Sequence, residues 1–364
     1  MILISPKNRT TYNFRGELLK EFISKGYEVI VTGPNVDGVE HIKALGVRLE
    51  VVELKKNGLN FLSDLKYMFA LRKLLLKEKP DLILSYTIKP VIYGSIAAKF
   101  ARVKNINSMI TGLGYVFTAK TLKSKILKTF VSVLYKLSLS CSDRVIFQNE
   151  DDLNELIRLN IVNKDKCKLV NGSGVNMEKF SRQAFPVKTT FFMLSRLMYS
   201  KGVLEYLQAS RKVKKKHPHV RFMLLGALEN IQDSIMKKEL DTYLNDGTIE
   251  YFEETNDVIE YYKMCSVYVL PSYREGTPRT VLEAMSVGRP VITTDAPGCR
   301  QTVQDGINGY LVPIANSTML AQKMESFIQN QSQIKSMGEE SYRICKEKYD
   351  VHKVNKTMLK HMNV

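Results

Sequence analysis

Short runs of aliphatic and β-branched residues alternate with helical patterns along almost the whole of this 364-residue chain. The first run, Met1–Ser5, leads to an amphipathic stretch at Gly16–Lys25, and Gly26 is a helix-stop signal. Such alternation is typical of parallel sheets covered by helices on both faces, so the sequence predicts an α/β fold of doubly wound sheets. Further strands are predicted at Glu28–Thr32, Val47–Val52, Asp81–Ser85, Arg144–Gln148, Cys167–Val170, Thr190–Ser195, Arg221–Gly226, Ile249–Phe252, Val267–Pro271 and Pro290–Thr294.

A polar segment without periodicity, Ser181–Thr189, divides the alternation into two series and is typical of a linker. The chain length also favours two domains, at about 100–200 residues per domain. The two series are not a sequence repeat, but they share an architecture. Because ligands of open parallel sheets bind at the carboxyl ends of the strands, two facing sheets would form a cleft.

The net charge of +17 implies an anionic partner, which could be nucleic acid, acidic lipid or a phosphorylated substrate. No run of about 18 uncharged apolar residues predicts a membrane-spanning helix. The short apolar start before Lys7 does not resemble a signal peptide, so we expect a cytoplasmic protein. The five cysteines and five histidines are scattered, which predicts reduced thiols and no zinc site.

The segment from Val267 to Pro313 predicts a strand that leads through a short loop into a helix start. Thr277 is a plausible N-cap, and Pro278 suits the first helical position of the helix Pro278–Ser286. A helix start presents free backbone N–H groups and the positive end of the helix dipole. A diphosphate, or a sugar attached to one, fits this arrangement.

Two glutamates of the same segment suit a nucleotide sugar. Glu275, followed by Gly276 in the loop, can accept hydrogen bonds from sugar hydroxyls. Glu283, within the helix, offers two acceptor oxygens to the vicinal hydroxyls of a ribose. The spacing of Glu275 and Glu283 is equally consistent with two solvated surface glutamates. The surrounding sequence is needed to distinguish these from ligand-binding residues.

That pattern resembles the donor-site signature of glycosyltransferase family four, the retaining enzymes of the GT-B fold. The elements Pro-Ser, Glu-Gly, Glu-Ala-Met, Gly-x-Pro-Val-Ile and Asn-Gly-Tyr-Leu-Val occur in the family's order. The resemblance implies two Rossmann-like domains that face each other across a cleft. Residues 1–182 would form the acceptor-binding domain, joined by a C-terminal helix at about 349–364, and residues 189–348 the donor-binding domain.

A second element, MLSRLMYSKGV at Met193–Val203, resembles the family's arginine and lysine pair that grips the donor diphosphate. Sugar transfer expels a nucleoside diphosphate, so fixed cations stabilise the charge that grows in the transition state. Arg196, Lys201 and Glu275 are therefore the catalytic candidates, although an ordinary surface role remains open for each cation. No Asp-x-Asp follows a strand, so no metal and no cofactor beyond the nucleotide-sugar co-substrate is expected.

Other positions match the family less evenly. Asn171–Phe180 resembles its Gly-Val-Asp/Asn-x-x-x-Phe turn, in which Gly174 would allow close backbone approach to the donor site. The paired glycines of the N-terminal loop are missing here, and Arg15 is a candidate to supply a cation instead. The histidine common after the fourth strand is also missing, which leaves Lys89 or Tyr86 as substitutes, with a surface role equally open.

From Leu82 to Ser142 the chain has nine lysines or arginines and no acidic residue. The helix predicted at Leu122–Ser140 is basic and amphipathic, a pattern typical of contact with an anionic membrane surface. A core helix with a solvated basic face is the alternative, and Phe130 and Leu134 are expected to pack inward either way. The residues of this helix that are candidates for contact with the acceptor or the membrane are Lys123, Lys125 and Lys128.

The segment TGLGYVFT at Thr111–Thr118 is similar to that of bacterial enzymes that extend sugars on undecaprenyl diphosphate, above all N-acetylgalactosaminyltransferases. The resemblance implies a lipid-linked acceptor, which Gly112 and Gly114 would let the backbone approach. A plain loop is the alternative interpretation.

Together these features predict a peripheral, retaining glycosyltransferase on the inner face of the membrane. It would move a hexose or N-acetylhexosamine from a UDP-sugar to a lipid-linked glycan of an O-antigen, capsule or other surface polysaccharide. A GDP-sugar-dependent mannosyl- or fucosyltransferase and a sugar-nucleotide epimerase of the same fold are alternatives, but no acid/base set for an epimerase is found. A basic nucleic-acid-binding protein would need a recognised reading module, and none is found, so no nucleic-acid partner is predicted.

Overall fold

The computed structural model describes residues 1–55, 60–114 and 122–364, apart from the side chains of 122–126. The chain folds into two compact units. The first comprises Met1–Ser173 and Val351–Val364, and the second comprises Gly174–Asp350. The division precedes Ser181–Thr189, the segment in which the sequence predicts the linker.

The first unit contains a seven-stranded parallel sheet. Its strands are β1 (Ile2–Ile4), β2 (Ile30–Gly33), β3 (Arg48–Val51), β4 (Leu82–Tyr86), β5 (Asn105–Ile110), β6 (Arg144–Phe147) and β7 (Cys167–Leu169). They lie in the order β3-β2-β1-β4-β5-β6-β7, so the chain changes direction across the sheet between β1 and β4. In this register Ile2 of β1 lies between Ile30 and Ile83.

Helices cover both faces of this sheet. They are α1 (Asn8–Ser24), α2 (Val39–Lys43), α3 (Phe61–Glu78), α4 (Ile88–Phe100), α5 (Leu122–Ser140) and α6 (Glu150–Arg158). Successive side chains of a strand point to opposite faces, so β1 contributes to two cores. Ile2 and Ile4 pack with residues of α3, α4 and α5, whereas Leu3 packs with Leu18 and Leu19 of α1. All three strand residues are almost fully buried.

The second unit repeats the architecture with a six-stranded parallel sheet. Its strands are β8 (Thr190–Leu194), β9 (Arg221–Leu225), β10 (Glu250–Phe252), β11 (Val267–Leu270), β12 (Val291–Thr294) and β13 (Gly309–Val312). Its helices are α7 (Val203–Lys216), α8 (Lys237–Asn245), α9 (Ile259–Lys263), α10 (Arg279–Ser286), α11 (Ser317–Gln329) and α12 (Ser332–Ile344). The order β10-β9-β8-β11-β12-β13 reverses direction between β8 and β11.

The chain ends in α13 (Val351–Met362), which follows a π-helical turn at Cys345–Tyr349 and belongs to the first unit. It packs against α1. Met358, Leu359 and Met362 are buried in the same core as Leu3. The last residues therefore complete a core that the first residues begin.

The first helix starts earlier than the sequence predicts. α1 begins at Asn8 rather than Gly16, because its polar first half is buried: Thr11 and Arg15 are both almost inaccessible. α8 begins at Lys237, a few residues after Asp233, whose carboxylate accepts hydrogen bonds from Ser200. Within the described residues, no helix combines the length and the apolar character needed to cross a bilayer.

Candidate functional site

The carboxyl ends of β8 and β11 meet where the second sheet reverses direction. The two strands are hydrogen-bonded neighbours, with Phe191 opposite Val267 and Phe192 opposite Tyr268. Open parallel sheets bind ligands outside the carboxyl ends of their strands, at such a reversal of strand order. Arg196 and Lys201 follow β8, and Glu275 follows β11, so these three candidates lie in the loops at this reversal.

Lys201 and Glu275 form an ion pair although 74 positions separate them in the chain. The Lys201 Nζ donates to Glu275 Oε1 at 2.6 Å, and their side chains are 20% and 15% exposed. An ammonium carries three donors, so Lys201 can hold Glu275 and an oxygen of a ligand at the same time. The structure thus brings together the cation and the carboxylate that sequence motifs about 70 residues apart predicted.

Close backbone contacts fix the loops that carry this pair. Gly202 has φ +72, and a Cβ atom there would lie 2.1 Å from the carbonyl oxygen of Pro271. Gly298 has φ +78, and a Cβ there would lie 2.1 Å from the carbonyl oxygen of Glu275. The Glu275 N–H donates to the Pro297 carbonyl at 2.9 Å. The loops after β8, β11 and β12 therefore pack with no room for a side chain between them.

Polar contacts brace the same loops from α7 and from the segment before α8. The Tyr273 N–H donates to the Ser200 carbonyl at 2.9 Å, and its hydroxyl donates to Glu205 Oε1 at 2.7 Å. Burial and the neighbouring Glu205 carboxylate raise the pKa of Tyr273. Asp233 accepts from the backbone and the hydroxyl of Ser200, the residue before Lys201. The position of Lys201 is therefore set by a network rather than by one contact.

Arg196 points to a different partner. Its Nη1 lies 3.4 Å from Oε2 of Glu229, and the two side chains are 46% and 36% exposed. Glu229 follows β9, the neighbour of β8 on the other side from β11. The structure thus places Arg196 and Lys201 in one loop but pairs them with different carboxylates.

Glu283 lies on α10 with only 8% of its surface exposed. The Tyr262 hydroxyl donates to Oε2 at 3.1 Å, and Arg279 Nε donates to Oε1 at 3.2 Å. Burial raises the pKa of Glu283, although Arg279 and Tyr262 oppose that shift. Each carboxylate oxygen has a further lone pair, so a ligand hydroxyl can still be accepted. Tyr262 was not among the sequence candidates, because nothing local in the sequence links α9 to α10.

The start of α10 differs by one residue from the sequence prediction. Pro278 is the N-cap, with ψ 110, and Arg279 is the first helical residue. The expectation that Thr277 caps the helix and that Pro278 occupies its first turn was wrong, because Pro278 has extended backbone geometry. Gly276 and Pro278 are buried beside the loop, and Thr277 is partly exposed.

Gly174 is the first residue of the second unit and has φ +66. The next residue, Val175, donates its N–H to the Tyr349 carbonyl at 2.8 Å, close to where the chain leaves the unit. The structure therefore places Gly174 at the point where the second unit begins and ends.

The first unit has hydroxyl groups at its own reversal point. Ser5 follows β1, and Tyr86 ends the adjacent β4. The Tyr86 hydroxyl lies 2.6 Å from the Ser5 hydroxyl and 3.2 Å from that of Thr11. Arg15 is 4% exposed, with its guanidinium 5.3 Å from the centre of the Tyr86 ring. Sequence reasoning proposed Tyr86 and Arg15 separately and missed the hydroxyls, which the rule about strand ends could have indicated.

Lys89 is held in a partly buried ion pair. Its Nζ donates to Asp64 Oδ1 at 2.8 Å and to the Lys55 carbonyl at 2.7 Å, and the Tyr93 hydroxyl donates to Asp64 Oδ2 at 3.2 Å. Two residues earlier, Thr87 has φ +69 and ψ 169. That conformation is strained for a β-branched residue and is concentrated at functional positions in proteins.

The basic segment after β5 lies only partly within the described residues. Gly112 and Gly114 both have positive φ, and a Cβ on Gly114 would meet open space. Residues 115–118, and the side chains of Lys123 and Lys125, lie outside the described part of the chain. Lys128 Nζ lies 3.2 Å from Glu155 Oε1 of α6.

The outer side of α5 is apolar and exposed. Phe130, Val133 and Leu137 are 44%, 54% and 56% exposed, while Val131, Tyr135 and Leu139 fill the core. The expectation that Phe130 packs inward was wrong, because the helix turns it away from the sheet. Leu134 does pack against the core as expected.

In the described parts of the chain, no group of three or more histidine, cysteine, aspartate or glutamate residues could hold a metal ion. Cys299 lies beneath the candidate site, and burial raises the pKa of its thiol to about 12, with a smaller contribution from Glu275.

Two family models match the chain in succession. The one described as Glycosyl transferase 4-like matches residues 2–149, and the one described as Glycosyl transferases group 1 matches residues 176–344. Each match falls within one of the two structural units.

Individual proteins are similar over most of the chain. The N,N'-diacetylbacillosaminyl-diphospho-undecaprenol alpha-1,3-N-acetylgalactosaminyltransferase of Campylobacter jejuni is 27% identical over 346 residues, which cover 90% of this chain and 89% of that protein. The UDP-Gal:alpha-D-GlcNAc-diphosphoundecaprenol alpha-1,3-galactosyltransferase of Escherichia coli is 27% identical over 78% of this chain and 74% of its own. The structure of Anabaena HepE in complex with UDP superposes with a TM-score of 0.78 at 19% identity, covering 100% and 99% of the two chains, and shows a shared fold.

Proposed function

Since this chain is a glycosyltransferase of the GT-B fold, with a Glycosyl transferase 4-like domain followed by a Glycosyl transferases group 1 domain, we propose that it moves a hexose or N-acetylhexosamine from a UDP-sugar to a lipid-linked glycan. The acceptor would be an undecaprenyl-diphosphate glycan of a surface polysaccharide such as an O-antigen or capsule. The names of the Campylobacter and Escherichia relatives, which both contain a diphospho-undecaprenol, support the acceptor. UDP-Gal in the second name supports the nucleotide.

The observation that carries this proposal is the Lys201–Glu275 pair at the reversal point of the second sheet. In the proposed complex, Glu275 accepts hydrogen bonds from hydroxyls of the donor sugar, and Lys201 turns its remaining donors to the diphosphate. Arg196 binds the same diphosphate with its planar fork in place of Glu229. Two cations at fixed positions stabilise the leaving group more as its charge grows, which accelerates transfer.

Further groups of the second unit complete the proposed donor site. Glu283 would accept the ribose hydroxyls, and its hydrogen bonds from Tyr262 and Arg279 hold the carboxylate in one orientation. The first turn of α10, which begins at Arg279, would offer backbone N–H groups to the donor, and Gly276, Thr277 and Pro278 form the loop that leads into it. Gly174 would allow the chain to approach the donor without a side chain between them.

The chemistry we propose retains the configuration of the sugar. The acceptor hydroxyl oxygen forms its bond to the anomeric carbon on the face from which the diphosphate leaves. The bond between that carbon and the phosphate oxygen breaks, and the departing oxygen takes the acceptor's proton. No side chain has to act as nucleophile in this scheme, and Lys201 and Arg196 balance the charge on the diphosphate.

The first unit would bind the acceptor at the inner face of the membrane. Lys89, Gly112 and Gly114 are the proposed acceptor residues, and Arg15 the proposed additional cation near the donor. The exposed apolar stripe of α5, formed by Phe130, Val133 and Leu137, would enter the headgroup region of an anionic bilayer. Lys123, Lys125 and Lys128 would contact its anionic headgroups.

Substitution of Lys201 tests the central assignment. We expect Lys201→Ala to lower the rate of sugar transfer about 100- to 1000-fold, the usual effect of removing one group that stabilises transition-state charge. Glu283→Ala should likewise abolish transfer by removing the ribose contact. The rate is measured as UDP released from a panel of UDP-sugars in the presence of a lipid-diphosphate sugar.

Lys263→Ala is the matched control, because Lys263 forms an equally short pair of 2.6 Å with Glu260 on the exposed surface of α9. It should transfer sugar at the normal rate. Circular dichroism and thermal unfolding should show that all three variants fold. Near-normal turnover by folded Lys201→Ala or Glu283→Ala would contradict the roles proposed for these two residues.

A further inference from the structure

A wide depression of about 730 Å³ lies at the amino-terminal edge of the first sheet. Asn105 and Arg144 begin the adjacent strands β5 and β6, and Lys168 lies in β7. The end of α13 forms the remaining wall, with Lys360 and His361. This edge is opposite to the one where Ser5 and Tyr86 lie, so the depression is separate from the reversal point of this sheet.

Four cationic side chains line the depression. Within the described residues, none of the four forms an ion pair with a carboxylate. The four residues are Lys104, Arg144, Lys168 and Lys360. Like charges held close together repel one another, and an anion placed among them would relieve that repulsion.

Two carboxylates, Asp143 and Asp165, also line the depression. The Asp143 carboxylate accepts a hydrogen bond from the Ile106 N–H at 2.7 Å, so the backbone of β5 already occupies one of its acceptor positions. With four cations and two carboxylates, the residues that line the depression have a positive net charge even when His361 is neutral. The arginine offers a planar fork and the lysines offer point charges, a combination that suits phosphate oxygens.

From this geometry we propose that the depression lined by Lys104, Arg144, Lys168, Lys360 and His361 is a second anion-binding site, which takes a phosphate group. The phosphate is carried either by a soluble molecule or by a lipid headgroup. Neither the proposed donor site, which lies in the second unit, nor the proposed acceptor residues include any of these side chains.

The ionisation of His361 can report whether phosphate is bound in the depression. Its Nε2 lies 3.2 Å from the Leu169 carbonyl, and burial lowers its pKa, with Lys168 and Lys360 adding to that effect. The charged groups that share the depression with it are Lys104, Asp143, Arg144, Asp165, Lys168 and Lys360. A bound phosphate favours the protonated imidazole, so binding should raise the pKa of His361.

The experiment follows the imidazole carbons of histidine by NMR in the whole chain, which has only five histidines. His361→Gln assigns the His361 signal. Inorganic phosphate is titrated in at constant ionic strength across the pH range of imidazole ionisation. The expected result is a saturable shift of the His361 signal and a rise in its pKa. No response of that signal to phosphate would overturn the proposal.

Replacing lysines of the depression by glutamate tests whether phosphate binds at this place. Lys168→Glu combined with Lys360→Glu should weaken the phosphate response of His361 at least about tenfold, since it removes two attractions and adds two repulsions. Lys356→Glu is the matched control, because Lys356 is exposed on the same helix, one turn earlier, outside the depression. An equal loss in both proteins would mean that general charge, and not this site, attracts phosphate, and would also overturn the proposal.

Vesicle flotation distinguishes the two sources of the phosphate. Wild type and the double variant are mixed with vesicles of phosphatidylglycerol and phosphatidylcholine. If the site holds a lipid headgroup, the double variant should float markedly less than Lys356→Glu. If it holds a soluble phosphate, the two should float alike while the NMR difference persists. Sugar transfer plays no part in these readouts, so they stand or fall independently of the proposed function.

Discussion

Glu283 shows how its neighbours decide what a single side chain can do. Its carboxylate is almost withdrawn from water and is held by one phenol and one guanidinium. Burial raises the pKa of Glu283 despite these partners, so ionisation costs the folded chain free energy. A carboxylate kept in place at such a cost is available to a ligand without reorganisation, which is what a binding residue needs.

A pH-dependent difference in stability should follow from this shift. Because the folded pKa of Glu283 is raised above the unfolded value, its cost to stability is present above the raised pKa and disappears as the pH falls through it. Glu283→Gln carries no charge at any pH. We therefore expect the Tm of Glu283→Gln minus that of wild type to increase from about pH 4 to pH 8.

Thermal unfolding at a series of pH values measures that difference. Glu253→Gln, which removes a carboxylate at an exposed position, is the control. A Tm difference between Glu283→Gln and wild type that stays constant with pH would show that the buried carboxylate does not lower the stability of the folded chain.

Thr87 offers a second test at the scale of one residue. Its φ of +69 and ψ of 169 are normally reserved for glycine. Thr87→Gly should relieve strain of about 1–3 kcal/mol and lose about 0.5–1 kcal/mol through the greater freedom of glycine in the unfolded chain. The net expectation is a higher free energy of unfolding in denaturant titration. Thr87→Ala removes the hydroxyl but keeps the Cβ, and it should gain nothing; equal gains in both variants would argue against backbone strain.

At the scale of elements, the strands form the base of each candidate region, and the loops that follow them carry the candidate side chains. In both sheets the candidate residues follow the strands that flank the reversal of order, β1 and β4 in one and β8 and β11 in the other. Close backbone contacts at Gly202 and Gly298 lock the loops of the second sheet together. Rigid loops hold charges in fixed positions, which favours transition-state stabilisation.

The apolar stripe of α5 is an element with a testable role. Val133→Ser combined with Leu137→Ser should reduce binding to vesicles that contain phosphatidylglycerol by about tenfold or more, because two exposed apolar side chains would no longer enter the bilayer. Flotation measures the bound fraction. Both residues are more than half exposed, so the fold should survive, and thermal unfolding verifies this.

Val187→Ser controls for the loss of an exposed valine elsewhere, in the second unit. It should bind vesicles like wild type. Unchanged vesicle binding by the α5 variant would remove this helix from the proposed membrane contact.

At the scale of the whole molecule, two units of one architecture are joined by a chain that crosses twice. The crossings lie at Ser173–Gly174 and at Asp350–Val351. Through the second crossing, α13 brings Met358 and Leu359 into the core begun by β1. The first unit therefore depends on both ends of the chain, so a truncation at Asp350 would expose part of its core.

Ligand-induced stabilisation separates the alternatives for the whole protein. A ligand present at about 100 times its Kd stabilises the folded state by about 2.7 kcal/mol, which raises the Tm by several degrees. We expect UDP and UDP-sugars to do so, and DNA or RNA not to. Stabilisation by GDP-sugars alone would replace the proposed donor with the GDP alternative, and stabilisation by nucleic acid alone would contradict the proposed function.

The α/β architecture and the candidate residues that follow β8 and β11 could be predicted before the structure was known. The architecture follows from apolar runs and helix-stop glycines, which are patterns among near neighbours, and the candidate residues follow from motifs such as MLSRLMYSKGV that resemble those of the family. The sequence placed Lys201 and Glu275 correctly at strand ends because a strand and the loop after it are continuous in the chain.

Which of these residues contact one another could be seen in the folded chain alone. The Lys201–Glu275 pair spans 74 positions, and Tyr262 reaches Glu283 across 21. The Asp64 partner of Lys89 and the strain at Thr87 were equally hidden, whereas the return of a C-terminal helix to the first unit was implied by the family resemblance. The reason is physical: periodicity and capping depend on residues a few positions apart, whereas ion pairs, burial and backbone strain depend on which distant segments pack together.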